Sequence, residues 1–460
     1  MLMARTVRRS TAFIASETAL IFGSVMLMAY ARAPLAAGAQ HDPSTLLPKA
    51  MLIALGCQLC LYARDLYEGR ISRDRQEIFV RLFQALGVTS IVFAVVYTLF
   101  PSLVIGRGVF VGAVTLAAVL ILGWRVTLVW ATTQFGPHER LLLVGTNAGA
   151  IALAAELCDR KDLGVDIVGF VETDSPGHSG SAAAPIIGTV EDIPAIVRAR
   201  SVDRVVVSLT DARGKLPMDK LLEMKLDGVQ FAHLASVYEE YTGKIAVENL
   251  RPSWLIFSSG FSKTRLLTIA KRALDITAAL LGIALSAPMQ LLVAAAVRLT
   301  SRGPVVFLQN RVGLDGKIFV MRKFRSMRED AEAATGPVWA RADDDRVTPI
   351  GRFLRRTRLD ELPQLWNVLL GDMSLVGPRP ERPEFVATLT HGIPFYGQRH
   401  VVKPGVTGWA QVRYTYGASD EDAMQKLQYD LFYIKHMSVW LDLYIMVRTV
   451  KVVLLGRNAC

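Results

Sequence analysis

The stretch RRTRLDELPQLWNVLLGDMSLVGPRP, residues 355–380, sets Asp360 and Glu361 directly behind Arg355, Arg356 and Arg358. Neighbouring carboxylates at a helix start point about 100° apart and cannot share a proton, so separate tasks are expected of them. An ordinary Asp has a pKa of ~3.9, and the nearby arginines are expected to keep Asp360 ionised. Such a carboxylate can attack phosphorus and form an aspartyl-phosphate, which divides one transfer into two steps. Helix capping, with Pro363 in the first turn, uses the same residue types. Two features tilt the balance towards an anionic substrate. Lys323 and Arg325, in KFRSM, fall on one face of a strand. Pro378, Pro380 and Pro383 fix three φ angles around Arg379 and Glu381, a stiff corner for holding a guanidinium in place. The candidate site therefore has Asp360 as the attacking carboxylate and Glu361 as a second acid with a different task. Lys323, Arg325, Arg358, Arg379 and Glu381 surround a phosphate-bearing substrate. Mg²⁺ is the expected ion, because one or two carboxylates plus substrate phosphates commonly hold it.

These residues must be positioned beside a membrane. Hydrophobic residues make up 52% of the 460, and the mean hydropathy is +0.33. Four segments match the ~20 apolar residues a hydrocarbon core requires: Thr11–Ala31, Ser44–Ala63, Phe79–Phe100 and Leu103–Trp130. Lys49, Arg81, Arg107 and Arg125 lie towards segment ends, where snorkelling is expected; Glu17 is expected to face a neighbouring helix. Arg5, Arg8, Arg9, Arg64, Arg70, Arg73, Arg75 and Arg140 place their loops in the cytoplasm by the positive-inside rule. The start also resembles a signal peptide, with Ala37–Gln40 as a cleavage motif, but the long apolar run containing Glu17 favours an uncleaved anchor. A fifth segment, Ala273–Leu299, carries Asp275 and a Ser286–Pro288 interruption. It is flanked by Lys263, Arg265, Lys271 and Arg272 on one side and by Arg298, Arg302 and Arg311 on the other. Basic flanks at both ends and a proline break near Ala284–Pro288 predict a helix that enters, bends and returns.

Net charge +11 and a pI near 9.5 point to anionic partners. No recognition helix or aromatic platform accompanies the charge, so membrane and phosphate are favoured and nucleic acid is not. Cys57 and Cys60 form a C-x-x-C inside an apolar span and are expected to pack in the core. The four cysteines make no disulfide framework, and the seven histidines show no zinc spacing. Between the spans and the basic region, short β-rich runs alternate with helical ones: RLLLVG, AGAIALAAEL, DIVGFVE, DRVVVSL and VQFAHL. That rhythm predicts a parallel sheet with helices on its faces. The first turn, GTNAG, has only Gly145 and Gly149 of a dinucleotide fingerprint, so a structural or regulatory role is favoured over a bound nucleotide. The segment at 173–185 reads as a loop. The paired glycines of GPVVFLQNRVGLDGKIFVMRKFRSM predict a hairpin.

Residues 263–460 resemble the bacterial sugar transferase family, the monotopic phosphoglycosyl transferases. The matching stretches are KRALD, GPVVFLQNRVG, KFRSM, RLDELPQLWNVLLGDMSLVGPRPE and VKPGVTGWAQV. Four spans and a Rossmann-like domain ahead of them resemble the long form of the family. The resemblance implies a membrane protein with a four-helix transmembrane region (1–136), an α/β Rossmann-like, CoA-binding-like domain (137–262) and a C-terminal α/β monotopic catalytic domain (263–460). The catalytic domain would contain a re-entrant helix at 273–299. It further implies transfer of a hexose-1-phosphate from a nucleotide diphosphate sugar, usually UDP-linked, to polyprenyl phosphate at the bacterial inner membrane, on its cytoplasmic face. Asp360 is then the nucleophile, Glu361 supports metal or orientation, and Arg379 lies near the nucleotide; Mg²⁺ dependence follows. Two departures stand out. Ala287 separates Ser286 from Pro288, and RYTYGASDEDAMQKLQYDLFYIKHMS follows GWAQV. That tail resembles the branch tied to exosortase-associated exopolysaccharide clusters and leaves the hexose unassigned. The final stretch, Val439–Leu455, reads as interfacial, and a homo-oligomer is compatible with the pattern. A membrane-bound nucleotide-sugar dehydratase would need a full fingerprint and a Tyr-x-x-x-Lys pair, but Tyr238 and Tyr241 lead to Thr242 and Ile245. A non-enzymatic assembly scaffold would have no use for the acidic dyad.

Overall fold

Residues 2–32, 43–63, 66–67, 75–135, 139–159, 164–172, 184–208, 218–247, 258, 260–331, 336, 344–414 and 419–454 are described by a computed structural model. They form two compact units, 1–241 and 242–460. Arg64, Arg70 and Arg73, the Ala37–Gln40 motif and most of the loop at 173–185 lie outside the described residues, as do the side chains of Arg5, Arg8, Arg9 and Arg75.

The first unit opens with α1 (Leu2–Arg32), α2 (Pro43–Ala63), α3 (Arg75–Leu99) and α4 (Arg107–Phe135). Among the described residues five helices are long and apolar enough to cross a bilayer, over Phe13–Arg32, Ser44–Ala63, Phe79–Leu99, Gly108–Leu128 and Arg265–Thr300. The fourth starts later than the hydropathy alone suggests. Pro101–Leu103 forms a 3₁₀ turn, and Gly106 swings the chain at φ +116° before α4 begins. Polar groups pin the helices together. Glu17 is fully buried; its Oε1 takes Arg125 Nε (2.7 Å), and its Oε2 takes both Arg125 Nη2 (2.9 Å) and the Tyr67 hydroxyl. Arg125 thus does not snorkel. Its remaining nitrogen, Nη1, donates to Leu66 O at 3.0 Å, because the low dielectric favours a paired guanidinium inside the bundle. Cys57 packs as a free thiol in the same apolar cluster.

The chain then builds a five-stranded parallel sheet from β1 (Glu139–Val144), β2 (Val165–Glu172), β3 (Ile186–Thr189), β4 (Arg204–Val207) and β5 (Gln230–His233), in the order β3-β2-β1-β4-β5. Helices α5 (Ala148–Asp159), α6 (Ile193–Arg200), α7 (Met218–Leu226) and α8 (Leu234–Thr242) alternate with the strands. Strand order reverses between β1 and β4, the usual ligand crevice of such sheets. Here Asn147 spans it, donating to Ser208 O at 2.6 Å and accepting from Ser208 Oγ at 2.7 Å.

The second unit is organised on α9 (Arg265–Thr300), which is helical throughout with Pro288 inside it. Pro288 cannot donate to Ala284. Around that gap Ser286 Oγ donates to Gly282 O at 2.5 Å, and Gln290 Nε2 donates to Ser286 Oγ at 2.8 Å. The KRALD residues fasten the base of α9. Arg272 caps the last carbonyls of α11 (Gln364–Leu370) through Val368 O and Leu369 O, at 2.6 and 2.8 Å. Lys271 reaches Asp442 Oδ2 (2.7 Å) in α15 (Val439–Leu454), and Asp275 accepts from Ser374 Oγ (3.0 Å) and Leu375 N (2.9 Å) in β8 (Ser374–Val376). These cations, read from sequence as topological flanks, are thus committed to protein contacts. The predicted hairpin forms from β6 (Val306–Val312) and β7 (Ile318–Phe324), antiparallel with Phe307 opposite Lys323. Then come α10 (Pro349–Thr357), α12 (Pro383–Gly392), β9 (Gly405–Thr407, parallel to β8), α13 (Trp409–Arg413) and α14 (Asp420–Lys435). Helix α15 is amphipathic, with Trp440 and Val447 exposed and Leu441 and Ile445 buried.

Candidate active site

Asp360 and Glu361 do not start an α-helix. They occupy a single 3₁₀ turn, Leu359–Glu361, entered through Arg358 in the left-handed conformation at φ +58°. At three residues per turn their side chains diverge by about 120°, and the divergence is used. Glu361 Oε1 faces Arg379 Nη2 at 3.0 Å, Lys323 Nζ at 3.3 Å and Arg358 Nη1 at 3.6 Å. Asp360 is 6% exposed, and its Oδ1 has no hydrogen-bond partner among the described residues.

The electrostatics differ accordingly, and not as the sequence suggests. Burial, then the Glu361 carboxylate, pushes the Asp360 pKa up against Lys323, Arg358 and Arg355. Burial would also raise Glu361, but Lys323, Arg379 and Arg358 override it and hold that carboxyl well below the usual range. Burial pushes the Lys323 ammonium down, with Glu361 opposing. The basic cluster therefore clamps Glu361, whereas Asp360 is left more basic than an ordinary aspartate.

The supporting elements are tied to one another. Asn367 of α11 accepts from Arg322 N (3.0 Å) and donates to Val320 O (2.7 Å), fixing the strand of Lys323 to the helix behind the dyad. The proline-rich corner is held by four consecutive carbonyls. Pro378 O accepts from Gly405 N (2.9 Å), Arg379 O from Arg399 Nη2 (3.0 Å), Pro380 O from Arg311 Nη1 (3.0 Å) and Glu381 O from Val312 N (3.0 Å). Gly377 is required at its entry, since a Cβ there would run into Lys403 O.

Lys323, Arg325, Arg358, Asp360, Glu361, Arg379 and Glu381 all line one cavity of about 560 Å³. That volume lies in the usual range for small-molecule sites. Arg325 sits just past β7 and donates through Nη2 to Ser301 Oγ (2.8 Å) and Ser301 O (3.0 Å). Glu381 approaches Arg311 at 3.7 Å. Sequence reasoning missed the far wall. There Arg399, 5% exposed, pairs with Asp430 at 2.8 Å and Tyr396 OH at 2.5 Å. Burial raises Asp430 to about 6 despite Arg399. Arg311 and Asp430 lie in QNRVG and QYDLFYIK, with nothing in the local pattern to separate them from structural charges.

No group of three or more His, Cys, Asp or Glu that could hold a metal occurs among the described residues. The described residues thus build no protein-only metal cage. The unpartnered Asp360 Oδ1 does suit an ion completed by substrate oxygens and water, as Mg²⁺ prefers.

Comparison with known proteins finds relatives of the chain. A family model described as bacterial sugar transferase matches residues 266–456, and one described as CoA-binding domain matches 62–218. The chain is 42% identical over 227 residues to a UDP-N-acetylgalactosamine-undecaprenyl-phosphate N-acetylgalactosaminephosphotransferase of Aeromonas hydrophila, covering 49% of this chain and 53% of that protein. Two proteins named UDP-glucose:undecaprenyl-phosphate glucose-1-phosphate transferase also match. The one from Xanthomonas campestris pv. campestris is 34% identical, covering 71% of this chain and 69% of its own length. The one from Escherichia coli (strain K12) is 36% identical, with 68% of each chain covered. The chain thus spans about half of the first relative and about two thirds of the others.

Proposed function

Because the chain belongs to the bacterial sugar transferase family, we propose that it moves a hexose-1-phosphate from a UDP-linked sugar to polyprenyl phosphate, releasing UMP. The observation that carries this reading is the unequal dyad: a Glu361 neutralised by three cations beside a buried, unpartnered Asp360 of raised pKa, in one cation-lined cavity. In the first step an Asp360 oxygen attacks the sugar-bearing phosphorus. The bond to the bridging oxygen breaks, and UMP leaves with the electron pair. In the second, an oxygen of the lipid phosphate attacks the same phosphorus, the acyl-phosphate bond breaks, and Asp360 regains its carboxylate. Lys323, Arg358 and Arg379 orient the diphosphate and balance the charge that develops on it. Asp360 would hold Mg²⁺ together with substrate oxygens and water, with Glu361 engaged by its three cations, and the ion would supply further charge neutralisation when bound. Labelled UDP-sugars offered without lipid should leave about one label per active site on the peptide containing Asp360. Polyprenyl phosphate should then discharge it into lipid. An untrapped label together with intersecting initial-rate plots would replace this route with direct displacement.

The catalytic unit belongs, on this reading, on the cytoplasmic face of the bacterial inner membrane, where nucleotide sugars are made. Four N-terminal spans would anchor it, and α9 would enter and return on one side. Lys263 and Arg265 at the start of α9, Arg298 and Arg302 at its far end, and Pro288 within it support that path. Cysteine reporters at Lys263 and at Asp315, in the hairpin turn beyond Arg311, should both be labelled from the cytoplasm. Labelling from opposite sides would make α9 an ordinary span and sink the topology.

A further inference from the structure

Arg325 is unlike the other cations of the cavity. It is 5% exposed, has no carboxylate partner among the described residues, and neither Nε nor Nη1 has an acceptor. A guanidinium is always charged, and burying it with nitrogens unsatisfied is costly unless an acceptor arrives. Among the described residues protein contacts supply acceptors only to Nη2, so the cavity that Arg325 lines is where further oxygens can come from. Room for its head group is made by Gly303, at φ +108°, where a Cβ would run into Nη1. Glu329 Oε2 borders the same glycine, yet Nη1 has no hydrogen-bond partner among the described residues.

Its tether sets Arg325 apart from the diphosphate-binding cations. Ser301 is the residue that follows α9, and Leu299, two residues earlier, is 85% exposed. Pro304 and Phe307, just beyond, line the cavity, and Phe307 is 42% exposed. A continuous run of chain therefore leads from an outward-facing leucine at the helix end, past Pro304 and Phe307, to a buried cation short of acceptors. Lys323, Arg358 and Arg379 instead gather on Glu361. We propose that Arg325 receives the phosphate monoester of the lipid acceptor, whose apolar chain lies across Pro304 and Phe307, whereas the Glu361-linked cations serve the nucleotide diphosphate. The inference rests on the two-step transfer proposed above and divides its cations between the two steps.

The test uses the full-length protein in nanodiscs and reads the half-reactions separately. Arg325→Lys and Arg325→Gln should still take up label from UDP-sugar on Asp360. Discharge by polyprenyl phosphate should slow by roughly 10–100-fold, the scale of a lost charge-assisted hydrogen bond, and the KM for lipid should rise. Phe307→Ser leaves Arg325 in place and covers the case in which the arginine variants do not fold. It should raise the KM for a long-chain lipid phosphate more than for a short-chain one, with the KM for UDP-sugar unmoved. Equal slowing of labelling and discharge, or a defect confined to labelling, overturns the assignment to lipid phosphate. So does a lipid KM left unchanged by Phe307→Ser. Failure of the parent enzyme to label at all is a different result and removes the two-step reading itself.

Discussion

Asp360→Asn is expected to abolish both transfer and covalent labelling while the chain stays folded, with a melting midpoint at or above that of the parent at neutral pH. The amide keeps the side-chain shape within the 3₁₀ turn but offers no anion to attack phosphorus. Losing a covalent nucleophile costs on the order of 10⁴–10⁶-fold in turnover. The stability effect follows from the same geometry. Burial and Glu361 raise the Asp360 pKa, so its ionisation weighs against the folded chain, increasingly as pH climbs through the folded value. An asparagine escapes that cost. Its margin over the parent should widen with rising pH and close below the ordinary Asp value of 3.8. UMP release and melting curves across pH check both halves. Turnover within tenfold of the parent would show that Asp360 is not the nucleophile. A midpoint several degrees lower would show that its charge is satisfied in some other way.

The dyad was legible because its chemistry is local: two carboxylates, three arginines and a stiff proline corner stand within one short stretch. The parallel sheet was legible too, since apolar strands separated by helical runs leave a clear rhythm, although the short, half-buried β3 escaped notice. What could not be read is which carboxylate the cations serve. Lys323 reaches Glu361 across 38 positions, and the choice depends on the left-handed turn at Arg358, which residue type does not predict. The helix-start geometry expected for the pair failed for the same reason. Arg125 misled in the opposite way. Its place near a segment end suggested snorkelling, but its partner Glu17 lies 108 positions away. Charges that bridge distant elements carry no local signature, and Arg399 with Asp430 is a further example.

Glu361→Gln is expected to cut transfer by about 10²–10³-fold and to destabilise the chain by about 3–5 kcal/mol, as for other buried ion pairs that lose one partner. It should also move the whole pH–rate profile towards acid. Glu361 Oε1 lies 3.0–3.6 Å from Arg379, Lys323 and Arg358, and an amide leaves those cations without their shared anion. Two titrations respond in the same direction. The Glu361 charge helps to raise Asp360, so its removal lowers the Asp360 pKa and shifts the acid limb down. The same charge opposes the burial that depresses Lys323, so its removal lowers Lys323 further and brings the alkaline limb down as well. Glu361 itself is depressed on folding, so its stabilisation is present above its ordinary value of 4.5 and is lost only as pH falls through the folded one. The stability gap between Gln variant and parent should therefore stay level across neutral pH and narrow only in strong acid. Glu361→Asp, which keeps the charge on a shorter arm, should restore part of the stability and most of the profile's position. An acid limb that does not move in the Gln variant would mean that the group titrating there is not an Asp360 facing Glu361. Asp430, whose pKa burial raises to about 6 against the opposing pull of Arg399, would then become the group to test.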